Sequence, residues 1–217
     1  MLRFKRTRCC ASLVAGLSLM GLVGLTSNPV LAAPEAAYEV AEVHENYEIR
    51  RYADAVLALV TTTGSRDDAS GVAFRKLFRY ISGENRADAE ISMTTPVLQG
   101  REIAPGVASL HGSDTATWQV AFVMPEGFDL QATPEAEDPD IQIVPFPGRV
   151  LAVIRFSGFW SDENFREHEA SLRASLQAAG RKTRGPALFA YYNPPFMPWF
   201  MRRNEVMLEL VDAGEGR

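Results

Sequence analysis

Apolar residues along this chain follow two spacings, and each change of spacing predicts an element boundary. Residues 47–52 alternate apolar and charged positions and read as a strand; the unbroken apolar run Ala55–Thr63 reads as its more buried neighbour. At Phe74, Leu77, Phe78 and Ile81 the spacing lengthens to three and four, the apolar face of a helix capped by Asp67 or Asp68 and ending near Ser82. Strands are expected at 89–98 and 117–123, with a turn region at 106–113 between them. Prolines among acidic residues give 125–140 the composition of an exposed linker. A hairpin of strands 141–146 and 149–157 turns at Pro147-Gly148, and Ser161, followed by Asp162 and Glu163, caps a second helix that Gly180 ends. The inner face of this helix is Phe165, Leu172, Leu176 and Ala179, and strands at 187–192 and 205–211 close the chain.

Ten residues are nearly repeated. Ala55-Val-Leu-Ala-Leu-Val-Thr-Thr-Thr-Gly64 returns as Arg149-Val-Leu-Ala-Val-Ile-Arg-Phe-Ser-Gly158, and an amphipathic helix follows each copy. The expected fold is α+β: pseudo-two-fold duplicated β-β-α-β-β units, residues 41–124 and 140–212 joined by the linker 125–139, forming a distorted antiparallel barrel or sheet flanked by two helices. Two such halves leave a cleft, and clefts hold ligands.

The beginning of the chain is of another kind. Arg3, Lys5, Arg6 and Arg8 precede an apolar stretch at 11–25 and a small-residue exit at Val30-Leu31-Ala32, so residues 1–32 read as a secretory signal peptide, with export to the periplasm as its consequence. The apolar stretch is shorter than the roughly 20 residues of a spanning helix, which makes a retained anchor the lesser alternative and leaves no permanent membrane span after cleavage. Residues 33–40 are a flexible lead, and 41–212 are a single domain. Cleavage after Ala32 removes both cysteines and four positive charges, taking the net charge from −5 to −9. So acidic a domain is unsuited to nucleic acid, and the lack of thiols excludes Cys-based zinc sites, thiolate haem ligation and covalent haem attachment.

Four segments resemble the SOUL haem-binding proteins over residues 38–211: Tyr47-Glu-Ile-Arg-Arg-Tyr52, Ile91-Ser-Met-Thr-Thr-Pro-Val97, Phe122-Val-Met-Pro125 and Gly158-Phe-Trp160. The resemblance implies an eight- or nine-stranded antiparallel barrel or sheet with two helices, and haem b or a related tetrapyrrole held non-covalently in a shallow apolar cleft bordering the first helix. Arg75, Lys76 and Arg79, off the apolar stripe of that helix, then correspond to a basic rim for the propionates. Met93 joins the candidate contacts, with packing as its plainer role. Some family members carry a histidine, considered a haem ligand, where this chain has Arg51, which implies weak or no axial ligation.

The residues supply other parts of such a site. Pro194, Pro195 and Pro198 keep residues 195–201 out of regular structure while Phe196, Met197, Trp199 and Met201 make the loop apolar, either a ligand lid or a flap over one end of the barrel. Arg202 and Arg203 are further propionate candidates, against ordinary solvation. His168, beside the inner face of the second helix, is the candidate iron ligand, ahead of His44 and His111; Tyr191, Tyr192, Met197 and Met201 are fallback donors. No hydrolase elbow, phosphate loop, zinc helix or dinucleotide fingerprint is present. The expected function is therefore an exported tetrapyrrole carrier that is not an enzyme. The alternatives are a receptor for other amphipathic molecules, using Glu48, Glu90 or Glu205 if any points inward, and a small hydrolase built on His168 with Glu163, Glu167 and Glu169. Protein partners are not specified by the sequence.

Overall fold

The computed structural model describes residues 33–104, 107 and 117–211. Nine strands and two helices follow in the order β1 (Tyr38–Val43), β2 (Glu48–Tyr52), β3 (Ala55–Thr63), α1 (Arg66–Ile81), β4 (Val97–Gly100), β5 (Thr117–Val123), β6 (Ile141–Phe146), β7 (Arg149–Phe156), α2 (Asp162–Ala178), β8 (Thr183–Tyr191) and β9 (Asn204–Leu210), with a short 3₁₀ turn at Trp199–Met201 before the last strand. All nine strands form one antiparallel sheet in the order β1-β2-β7-β9-β8-β4-β5-β3-β6, curled into a half-barrel. The fold is α+β, as expected. Exchanging β2 with β6, β3 with β7, β4 with β8 and β5 with β9 turns the order of those eight strands into its own reverse. The linker therefore does not separate two sheets: β7, β9 and β8 lie between β2 and β4.

β3 and β7 are apolar without alternation because both of their faces are covered. Val56, Ala58 and Val60 of β3 pack toward α1, while Leu57 and Leu59 enter a core on the other face. On β7, Ala152, Ile154 and Phe156 pack toward α2, and Leu151 and Val153 join that same opposite core. Arg66, the first residue of α1, ties the two helix starts together. Its guanidinium donates to Asp162 Oδ1 at 2.5 Å, Tyr191 Oη at 2.6 Å and the Trp160 carbonyl at 2.5 Å.

Several boundaries differ from the expected ones, each for a local reason. Ser65, rather than Asp67 or Asp68, caps α1: its Oγ accepts from the Asp68 N–H and donates to the Asp68 carboxylate. The buried face of α1 is Ala69, Ala73, Leu77, Tyr80 and Ile81; the small alanines let the helix lie close to the sheet and rotate Phe74 and Phe78 outward. On α2, Phe165, Leu172 and Leu176 are buried as expected, and Ala179 is exposed. Of the strand expected at 89–98 only the end enters the ladder. Pro96 has no N–H to give, and the preceding residues are tied individually: Ile91 N–H to the Ile81 carbonyl, and the Thr94 hydroxyl to the Val123 carbonyl.

β1 occupies part of the segment expected as a lead; its charged residues hid it, as befits an edge strand. The segment 125–140 is mostly exposed, and it is anchored at several points. Tyr80 Oη donates to the Pro134 carbonyl at 2.7 Å, Arg86 N–H to the Glu135 carbonyl at 3.0 Å, and Lys76 Nζ to Asp138 and Asp140 at 2.8 and 2.7 Å. Apart from Val107, the expected turn at 106–113 lies outside the described residues. No helix among the described residues is long and apolar enough to cross a membrane.

Candidate functional site

Because alanines face the sheet, α1 presents aromatic residues to its surroundings. Val72, Phe74 and Phe78 are 39%, 37% and 49% exposed. With Arg75, Lys76 and Arg79 they line an open, shallow concavity of about 500 Å³. Phe74 and Phe78 stack on each other with centroids 6.0 Å apart, and Phe74 sits edge-on against Phe122 of β5 at 5.3 Å, so the apolar floor continues into the core. The three cations are not equivalent. Lys76 is bound between Asp138 and Asp140, which raises its pKa through those hydrogen bonds. Arg79 makes only long contacts, 3.6 Å to Glu84 and 3.8 Å to Asp138. Arg75 has no acidic partner among the described residues. Among the described residues neither histidine nor cysteine is in the lining.

The β8–β9 loop lines a different surface. Phe196 is 86% exposed, Trp199, Phe200 and Met201 are exposed, and Met197 is half-buried. Trp199 stacks on Phe159 of the β7–α2 loop at 5.1 Å, and its carbonyl accepts from Gly158 N–H at 3.0 Å. Arg202 braces this loop from within, donating to the carbonyls of Met197 and Pro195 at 2.8 and 2.7 Å while its guanidinium lies over the Trp160 ring. Arg203 is held by Glu35 through two bonds of 2.8 and 2.9 Å and by Glu205 at 3.0 Å. None of these loop residues lines the α1 concavity, and neither does Met93, which packs against the α1-side core.

His168 also stands apart. Its ring stacks on Phe156 at 3.9 Å, and Nδ1 is 2.8 Å from the Asn164 carbonyl. A backbone carbonyl on this nitrogen fixes ring and tautomer but makes no acid–base pair; the neighbouring Glu169 pairs with Arg173 instead. His44 stacks on Tyr47 and bonds Glu42, and His111 is outside the described residues. The Tyr191 hydroxyl donates to Gln99 and the Tyr192 hydroxyl to Glu205, so both fallback phenols are engaged. Among the described residues no group of three His, Cys, Asp or Glu side chains could hold a metal ion.

Sequence reasoning missed a buried charge network on the sheet face opposite the helices. Glu205, 0% exposed, points inward and accepts from Arg50 at 2.9 Å, Tyr192 Oη at 2.8 Å and Arg203 at 3.0 Å. Arg50 is 3% exposed and also bonds Glu48 at 2.7 Å. Burial alone would weaken the Arg50 guanidinium, yet the Glu205 charge outweighs it and its pKa rises; burial pushes the Tyr52 phenol up to about 12. Two arginines neutralise the Glu205 carboxylate, so it is no receptor for a ligand cation. Glu48 is bonded to Arg50, and Glu90 is exposed.

Known proteins give this arrangement a context. The family model "SOUL heme-binding protein" matches residues 33–209. Heme-binding protein 1 of Mus musculus is 29% identical over 166 residues, covering 75% of this chain and 83% of the relative. Among solved structures, the EcmrR C-terminal domain superposes with a TM-score of 0.54 at 6% identity, covering 80% of this chain and 98% of that one. A hydrolase encoded by lin2189 from Listeria innocua gives 0.53 at 11% identity, covering 76% and 92%. At these identities the two structures share the fold alone. With the matched segment running from before β1 into β9 and including both helices, the chain belongs to the SOUL heme-binding protein family.

Proposed function

We propose that this chain is an exported, periplasmic carrier that binds haem b or a related tetrapyrrole non-covalently, without turnover, against the outward face of α1. The observation that carries this reading is the exposed trio Val72, Phe74 and Phe78 flanked by Arg75 and Arg79. A porphyrin face covers apolar surface of this kind, and guanidinium groups at its edge pair with the propionates. Membership of a haem-binding family supports the ligand class; the lining supports contact without an axial protein ligand. Arg75 and Arg79 replace the fuller rim, since Lys76 is already bound to two aspartates. The apolar β8–β9 loop is the competing seat, favoured by the exposure of Phe196 and the Phe159–Trp199 stack.

A Soret titration of the mature domain tests both. Haem is expected to give a saturable, shifted band; a spectrum matching haem mixed with denatured protein would overturn the ligand assignment. Phe78→Glu with Arg75→Glu should weaken binding about tenfold or more, about 1.4 kcal/mol or more, while Trp199→Ser leaves it unchanged. The opposite result moves the macrocycle to the loop.

A further inference from the structure

The sheet face opposite the helices holds a second cavity, of about 310 Å³, which the tetrapyrrole reading does not use. This is the lower end of the roughly 300–1,000 Å³ range of ligand pockets. Its walls are side chains from strands distant in sequence, among them Tyr52, Leu98, Val123, Phe146, Leu151 and Met207. Its lining includes the segment 34–37, fastened to Thr95 by two backbone bonds of 2.8 Å, Ala36 N–H to the Thr95 carbonyl and Thr95 N–H to the Pro34 carbonyl, and to Arg203 through Glu35.

The charges of the lining have one sign. Glu35, Asp54 and Glu126 contribute to it, and among the described residues no lysine, arginine or histidine does. Arg203 answers Glu35; Asp54 accepts only the Gly148 N–H, at 2.6 Å, and Glu126 has no ionic partner among the described residues. Two exposed carboxylates without a counter-charge, set at the edge of apolar walls, give the mouth of the cavity a negative potential. We infer that this cavity binds a compact apolar molecule carrying one ammonium group, its body against the sheet core and its charge toward Asp54 and Glu126. A dianionic macrocycle is opposed by the charge of this site, so it is distinct from the α1 concavity.

The test compares two probes of nearly equal apolar bulk, 1-naphthylmethylamine and 1-naphthylacetate, titrated into the mature protein by calorimetry at neutral pH. The amine is expected to bind about tenfold tighter or more. Asp54→Asn with Glu126→Gln should remove that preference, and Ala55→Phe, which adds a ring to the cavity wall, should abolish amine binding. Phe78→Glu, on α1, should leave amine binding unchanged. Equal affinity of the unaltered protein for the two probes, binding of neither, a preference for the amine that survives the carboxylate pair, or amine binding that survives Ala55→Phe would overturn the inference. If Ala55→Phe does not fold, the probe comparison and the surface carboxylate variant still decide it.

Discussion

Glu205 shows how much one side chain can depend on others far along the chain. Its carboxylate is fully buried, and Arg50, one of its partners, lies 155 residues earlier. A buried ion pair adds little to stability relative to a well-packed apolar substitute, but removing one member strands the others. Glu205→Ala leaves Arg50 and Arg203 with only Glu48 and Glu35, and should cost about 3 kcal/mol in urea unfolding; a loss below about 1 kcal/mol would mean that water already screens the network. The buried phenols make a second prediction. Burial raises Tyr52 and Tyr80 to about 12, so the folded chain keeps protons that the unfolded chain releases near pH 10. Their contribution is therefore complete below about pH 10 and is lost as the pH rises through about 12. Thermal melts with phenolate absorbance at 295 nm should show stability falling in that window, with ionisation accompanying unfolding. Ionisation of both phenols in the intact fold near pH 10 would contradict it. None of this was legible in residues 47–52: the alternation marked the strand, but a buried arginine looks like an exposed one until its partner is known.

At the level of elements, the glycines that close the repeated segments have a conformational task. Gly64 and Gly158 adopt φ of +123° and +134°, where the chain leaves a strand to enter a helix, a region closed to L side chains. A Cβ on Gly158 would also lie 2.6 Å from Asn164 Nδ2, which itself bonds the Phe159 carbonyl at 3.0 Å. Gly158→Ala should therefore destabilise the fold by about 1–3 kcal/mol and disturb the loop whose Trp199 carbonyl accepts the Gly158 N–H. Chemical denaturation with Trp199→Phe as a fluorescence control measures both effects. An unchanged midpoint would show that the turn relaxes without cost. The glycine ends and the Ser161 cap were readable because they are local. The face of α1 was not, because Phe74 and Phe78 have the same spacing as the buried Leu77 and Ile81, and only alanine's closeness to the sheet chooses between the two faces.

At the scale of the molecule, strands from early and late in the chain alternate within one sheet. β2 pairs with β7, β3 with β6, and β4 with β8, so each half supplies edges that the other must cover. Residues 33–124 expressed alone should give no cooperative unfolding transition, and co-expression with 125–211 should restore one; a cooperatively folding N-terminal fragment would refute this dependence. The same interleaving determines which residues can share a site. The family resemblance placed the α1 cations at the expected cleft and composition added the β8–β9 loop, whereas the loop residues do not line the α1 concavity and a further cavity opens on the other face of the sheet.

What the sequence determined by itself was eight of the nine strands, both helices and their order: periods of two and 3.6, the Ser161 cap and closing glycines act over a few residues and are written where they act. Tertiary structure alone decided which face of α1 is buried, which arginines are bound and where the cavities lie. These depend on the contest between side chains for the same space and charge, and the competitors are brought together only when the sheet closes.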